Sequence, residues 1–517
     1  MDENTVFNKN QSDQPPTGDP PPALDANAAA PQAEPVPSDP SLTTDPPQAD
    51  QPVEPVIDPA TGLPVDDQTE TGDALPPPPN VGFLGGGLIK KIIIGVGVLI
   101  FLIAMVVLFM PKGQSSEQVK LQWWGLWEES NAVQGLIADF EKDNPNIDVE
   151  YQKRAPQEYR ERLIARIENN SGPDIFRYHN TWRPMLGKNL LPLSSDVISP
   201  EDFQKAYYPI VQKDLVTSGA IYGIPLGVDS LALFINPELF EAAGVQVPNN
   251  WEDFVKVSKQ LTVKGPDGKI QTAGAALGTY DNVAHAPDII SLLFLQQSIP
   301  MEKFSEYKKQ QAVALEFYTS FALGNSNVWD ETLDNSTLAF SRGKLAMYFG
   351  YSWDVFAIQK LNKDLAFKVY PVPANQNKKT TVASYWVEGV SAKSPNQKEA
   401  LEFMKYLAQK ETLEKFYTET AKTRAFGELY PRKDLRESLR EEPLAYPFLS
   451  QMDDVSSSMF SSDTHDGDTG MNTLLNTYLG TAIRSIVNDS DAPDKVVETL
   501  NSGVAQVNKK YEVKKKK

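Results

Sequence analysis

Apolar and polar positions change rhythm several times along this chain. From Val119 to Trp124 they alternate, the period of a strand with one buried face. Gly125 breaks the alternation. Val133, Leu136, Ile137 and Phe140 then recur at i, i+3, i+4 and i+7, which predicts an amphipathic helix closed by Asn144 and Pro145. Ile147, Val149 and Tyr151 alternate again. Tyr159, Leu163, Ile164 and Ile167 predict a second helix, and the run from Asp174 to Tyr178, entered through Gly172 and Pro173, a third strand. Strand, helix, strand, helix, strand implies a parallel sheet in an α/β chain. Ligands of such sheets sit beyond the carboxyl ends of the strands.

Further on, 221–225 and 231–236 read as a hairpin-like stretch, and 238–243 as a short helix stopped by Gly244. Asn250 is placed to cap a helix opening at Trp251. The stretch 284–324 is helix-rich, and Ala400, Phe403, Met404 and Leu407 mark a further helix. No internal repeat is visible. The whole patterned region, Val119 to Tyr511, is too long for one ordinary core and predicts two lobes.

Two segments before it follow other rules. Ile92 to Met110 is 19 residues without a charge. At 1.5 Å per residue it spans roughly 28 Å, close to the hydrocarbon thickness of a bilayer. Lys90 and Lys91 precede it and Lys112 follows, a modest bias toward a cytoplasmic N-terminus. The run is long, begins late and lacks a small-x-small cleavage site, so it predicts an uncleaved transmembrane helix at 92–110 rather than a signal peptide. Residues 111–117 make a linker. The segment 1–85 predicts a disordered tail, because it cannot bury enough apolar surface to offset ordering. Its first 80 residues hold 15 Asp/Glu against one Lys, and 19 of the 40 prolines. Of the chain's net charge of −19, −14 therefore sits there, and the remaining −5 is ordinary. That balance argues against a nucleic-acid binder. The basic end, 512–517, reads as a solvated tail. There is no cysteine, which excludes disulfides, thiolate chemistry and a lipid anchor on Cys.

Three stretches, in this order and spacing, resemble a known family. The first runs from Tyr222 through Ala232–Gly244 to Pro248–Phe254. The second is Phe340–Gly350 with Trp353. The third is Val390–Pro395 and the helix after it. They resemble the type II periplasmic solute-binding fold, in the sugar-binding branch that includes maltose-binding protein. The resemblance covers about 118–430. It implies a two-lobed domain at 118–511, lobe one at 118–227 plus 367–410 and lobe two at 228–366 plus 411–511. It also implies a cleft between the lobes, closure by a hinge, and docking on the transmembrane subunits of an ABC permease. The internal apolar helix and the acidic tail depart from the family's usual signal or lipid anchor.

A sugar presents hydroxyls and apolar faces, so its site needs aromatic platforms beside amides or carboxylates. Trp124, Trp127, Glu128 and Glu129 follow the first strand, where the sheet rule places ligands. The plainer reading of the two acids is a helix first turn. Trp123 and Trp251 read as structural. By the resemblance, Asp229 falls where sugar-binding members place a carboxylate near the hinge. Its alternative is a hinge hydrogen bond. Tyr178 and Trp182 follow the third strand, Tyr280 and Asp281 follow a Gly-rich strand end, Trp353 follows Gly350, and Tyr385 and Trp386 precede the third stretch. Each could instead pack.

Enzyme readings are weaker. His179, His285 and His465 lack metal-ligand spacing, there is no Gly-x-Ser-x-Gly elbow, and no cofactor motif is present. Residues 463–468 could offer calcium its oxygen ligands, but without EF-hand spacing. The sequence therefore predicts a non-enzymatic, membrane-anchored capture protein for a carbohydrate, its binding domain extracytoplasmic. The competing readings are a tethered sensor or scaffold of the same fold, and a binder of another small solute.

Overall fold

The computed structural model describes residues 118–376 and 378–511. The predicted tail (1–85), apolar span (92–110), linker (111–117) and basic end (512–517) lie outside these residues. Among the described residues, no helix is long and apolar enough to cross a membrane.

The opening rhythm folds as its periods predict. Strand Val119–Gly125 lies between two parallel neighbours, Ile147–Lys153 and Ile175–His179. Its alternation buries Leu121 and Trp123 completely. Helix Ser130–Asp143 turns Val133, Leu136 and Phe140 onto this sheet, and the Asn144 side chain closes it by donating to the Phe140 carbonyl at 2.9 Å. Beyond Ile175–His179 the sheet continues with Trp386–Ser391, antiparallel, and then Leu190–Leu191. A strand from late in the chain thus stands inside a sheet made mostly from its beginning.

The second sheet is built from apolar runs buried on both faces, Ala232–Ile235 and Leu345–Gly350. Its order is Lys368–Tyr370, Ala232–Ile235, Leu345–Gly350, Ile270–Ala275, Val263–Lys264. Asn250 caps the next helix, its side chain accepting from the Asp253 N–H at 2.9 Å. Trp251 opens that helix, stacks on Phe349 and donates to Gln296 at 2.7 Å, so it packs the core.

Two lobe boundaries differ from expectation. Lys368–Tyr370 pairs with Ala232–Ile235, so this stretch belongs to the second lobe and not to the first. Helix Lys410–Ala421 belongs to the first lobe and not to the second, because Lys415 reaches helix Ser130–Asp143, pairing with Asp139 and donating to the Gly135 carbonyl at 2.8 Å. Both elements stand beside chain crossings, where short strands and surface helices carry no signature of the sheet they will join. The crossings at 226–231 and 372–385 lie together: Leu231 donates to the Val382 carbonyl at 2.9 Å. Strand Thr381–Val382 also pairs with Val455–Ser456. Helices Met471–Val487 and Pro493–Tyr511 then pack on the second lobe, against helix Lys308–Thr319.

Candidate functional site

A cleft of about 720 Å³ opens between the lobes, a size suited to a small ligand. Its first-lobe wall starts at the end of the first strand. There Trp127 stands 38 % exposed, edge-on to Trp386 at 5.3 Å between ring centres. Behind them lies a buried charge cluster. The Arg177 guanidinium, raised on the third strand, pairs with Glu128 on one side and Glu388 on the other, at 2.6 Å to Glu388. Trp123 donates to the second Glu388 oxygen at 2.9 Å. Burial opposes charge at all three. At Glu128 the attraction of Arg177 wins and holds the carboxyl below its ordinary value, whereas at Glu388 burial wins and lifts it.

The second-lobe wall repeats this arrangement with a different cation. His285 precedes helix Ala286–Gln296, and its Nε2 lies 2.8 Å from Asp354 Oδ2. Its Nδ1 lies 2.9 Å from Ser462 Oγ and 3.3 Å from Asp463 Oδ2. Burial disfavours the imidazolium, but the two carboxylates outweigh it and hold His285 well above its ordinary value. Asp463 is pulled down to about 2, with burial opposed by His285. Trp353 flanks this group, stacked on Tyr351 at 4.4 Å.

At the hinge, Asp229 accepts from the Ser230 and Ser352 N–H groups, both at 2.8 Å. Burial pushes its carboxyl up to about 8 against these two donors. Arg424 and Glu428 pair beside it, with the guanidinium over the Phe356 ring. Each of these ionised groups therefore meets a partner within the protein.

Of the predicted positions, Trp127, Glu128, Asp229, Trp353, Tyr385 and Trp386 line this cleft. The other six do not. Trp124 is buried under the Arg154 guanidinium, 4.0 Å above its ring, because helices cover both faces of the sheet at this point. Glu129 points to solvent and pairs with Lys153 at 2.6 Å. Tyr178 faces the interior of the sheet and donates to the Tyr222 carbonyl at 3.2 Å. Trp182 is fully buried against Tyr159, with only an edge toward Trp386. Tyr280 donates to the Asn476 carbonyl at 2.8 Å and fills the space left by Gly480, and Asp281 pairs with Arg484 at 2.6 Å.

Sequence reasoning missed His285, Asp354 and Asp463. His285 and Asp354 each sit at the start of a helix, a position the helix-start pattern does reveal. In the loop 463–468, the Asp466 carboxylate is taken up by the N–H groups of Asn472 and Thr473, at 2.6 and 3.2 Å, and not left for a cation.

Known proteins share this architecture. The sugar-binding protein MalE of Xanthomonas citri superposes with a TM-score of 0.61 at 22 % identity, covering 76 % of this chain and 98 % of that one. A cyclo/maltodextrin-binding protein in complex with maltotetraose gives 0.59 at 18 % identity, over 78 % and 100 %. The fold is thus the two-lobed α/β fold of periplasmic binding proteins. In sequence, the chain is 24 % identical over 332 residues to the multiple sugar-binding protein of Streptococcus mutans, covering 59 % of this chain and 74 % of that protein. The profile of the bacterial extracellular solute-binding proteins matches residues 125–414, more than half of the chain, and the chain belongs to that family.

Proposed function

We propose that this protein captures a carbohydrate between its lobes and passes it, chemically unchanged, to the transmembrane subunits of an ABC permease. Residues 92–110 would serve as the tether, leaving 1–85 on the cytoplasmic side and the lobes outside.

The observation that carries the reading is the pairing of charges in the cleft. A solute with a net charge would need a free counter-charge. Glu128, Asp354, Asp463 and Glu428 each already face a cation of the protein, and burial favours the neutral form of Asp229. What remains for a ligand is the outer lone pairs of polarised carboxylates and the faces of Trp127, Trp353 and Trp386. Hydroxyls and C–H faces of a neutral sugar match that set. Maltotetraose, with which the cyclo/maltodextrin-binding protein of the same fold is complexed, belongs to this chemical class.

Calorimetric titration of the intact protein in detergent against neutral mono- and oligosaccharides tests the proposal. Binding by at least one sugar is expected, and Trp353→Ala should weaken it at least tenfold, about 1.4 kcal/mol. Heat with an amino acid, polyamine or sugar acid, and with no neutral sugar, would overturn it.

A further inference from the structure

One segment touches both walls of the cleft. Residues 461–470 leave the second lobe, cross to the first, and return into helix Met471–Val487. On the second lobe, Ser461 Oγ and Ser462 N donate to the Asp288 carboxylate at 3.2 and 2.9 Å, and Asp463 faces His285. The backbone then turns sharply, with left-handed conformations at Asp463, His465 and Gly467. On the first lobe, the His465 ring lies 5.2 Å from Trp127. Arg160 Nε donates to the Asp466 carbonyl at 2.6 Å, and its Nη2 donates to Thr469 Oγ1 at 2.9 Å. Thr181, also on the first lobe, donates to Asn472 at 2.8 Å.

We infer that loop 461–470 is a latch between the lobes, with Arg160 as the residue that receives it. Three features set it apart from incidental contact. Arg160 is only 6 % exposed, so its guanidinium has given up water for acceptors, and two of the three it has belong to the loop. The Asp466 side chain is committed to capping helix Met471–Val487, which fixes its carbonyl toward Arg160. Gly467 has φ +72°, a conformation that favours glycine, and a Cβ there would stand 2.2 Å from a Glu161 oxygen, so a larger residue would have to displace the carboxylate beside Arg160.

Separating the lobes would break the Arg160 bonds to the Asp466 carbonyl and the Thr469 hydroxyl, and the Thr181 bond to Asn472, all made between the lobes. That cost favours the closed spacing before any solute enters. A ligand then supplies less of the closure free energy, and its apparent affinity rises. The latch does not depend on the solute being a sugar.

Because the chain has no cysteine, two spin labels can be placed cleanly, through Asp143→Cys on the first lobe and Lys259→Cys on the second. Pulsed electron paramagnetic resonance on the intact, solute-free protein then reads the lobe separation. The labelled parent should show one dominant short distance. Arg160→Ala should add a longer population, and Arg160→Lys a smaller one. Gly467→Val should do the same without removing a buried charge, which keeps the test open if Arg160→Ala fails to fold. A parent already dominated by long separations overturns the latch. So does a folded Gly467→Val variant whose distances match the parent's.

Discussion

The two walls of the cleft hold the same motif in different chemistry. On the first lobe, Arg177 stands between Glu128 and Glu388. On the second, His285 stands between Asp354 and Asp463. A guanidinium stays charged at any pH a folded protein meets, and its planar fork fixes both carboxylates in place. An imidazolium can lose its proton. The first wall is therefore a permanent fixture, whereas the geometry of the second is conditional on a charge that its own neighbours maintain. Position in the fold matches this division. Arg177 and Glu388 project from adjacent strands, whereas Asp354 starts a helix and Asp463 lies on the loop that spans the lobes.

The comparison breaks most visibly at Arg177. Arg177→Met leaves Glu128 and Glu388 buried without a counter-charge, and should lower stability by about 3–5 kcal/mol in urea unfolding. A loss under about 1 kcal/mol would mean that the two acids simply take up protons.

His285→Gln should cost less, about 1.5–3 kcal/mol at pH 7, the range for hydrogen bonds to charged groups. Its pH dependence is the sharper test. The folded state raises His285 above its ordinary value, so the stabilisation is complete below that value and disappears as pH rises through the raised one. Asp229 is also raised and acts in the same direction, but its contribution is spent above about 8. The thermal midpoint of the parent should therefore fall as pH rises above the ordinary histidine value, more steeply than that of His285→Gln. Parallel slopes would place the titration elsewhere.

The smallest effect is expected next door to Glu128. Glu129 is an exposed partner of Lys153, so Glu129→Gln should change stability by less than about 0.5 kcal/mol and leave solute binding unaltered. A binding defect there would move the first wall outward by one residue.

These contrasts also show what could be read in the sequence. The first wall was partly legible because a parallel sheet delivers ligand groups to the ends of its strands, and Trp127 and Glu128 stand directly after one. The same rule misled at Trp124 and Trp182, since it cannot say which of several neighbouring rings turns inward. On the second wall Trp353 was legible, but the charge group beside it was not. His285, Asp354 and Asp463 come from three segments far apart in sequence, and only packing brings them together. Period and spacing describe an element and its faces, while a charge sandwich belongs to three elements at once. The lobe boundaries failed for a related reason, since nothing local in Lys368–Tyr370 says which sheet it will join.

Strand Trp386–Ser391 has a consequence for synthesis. It fills the place between Ile175–His179 and Leu190–Leu191, strands made some two hundred residues earlier. As the chain leaves the ribosome, the first sheet must wait with an open edge along Ile175–His179, and Arg177 waits without Glu388. Unpaired edges of this kind invite association with other chains. A fragment ending near residue 227 would keep that gap permanently. The first lobe is therefore not a module that can be cut out at its first crossing. It becomes complete only when most of the polypeptide exists.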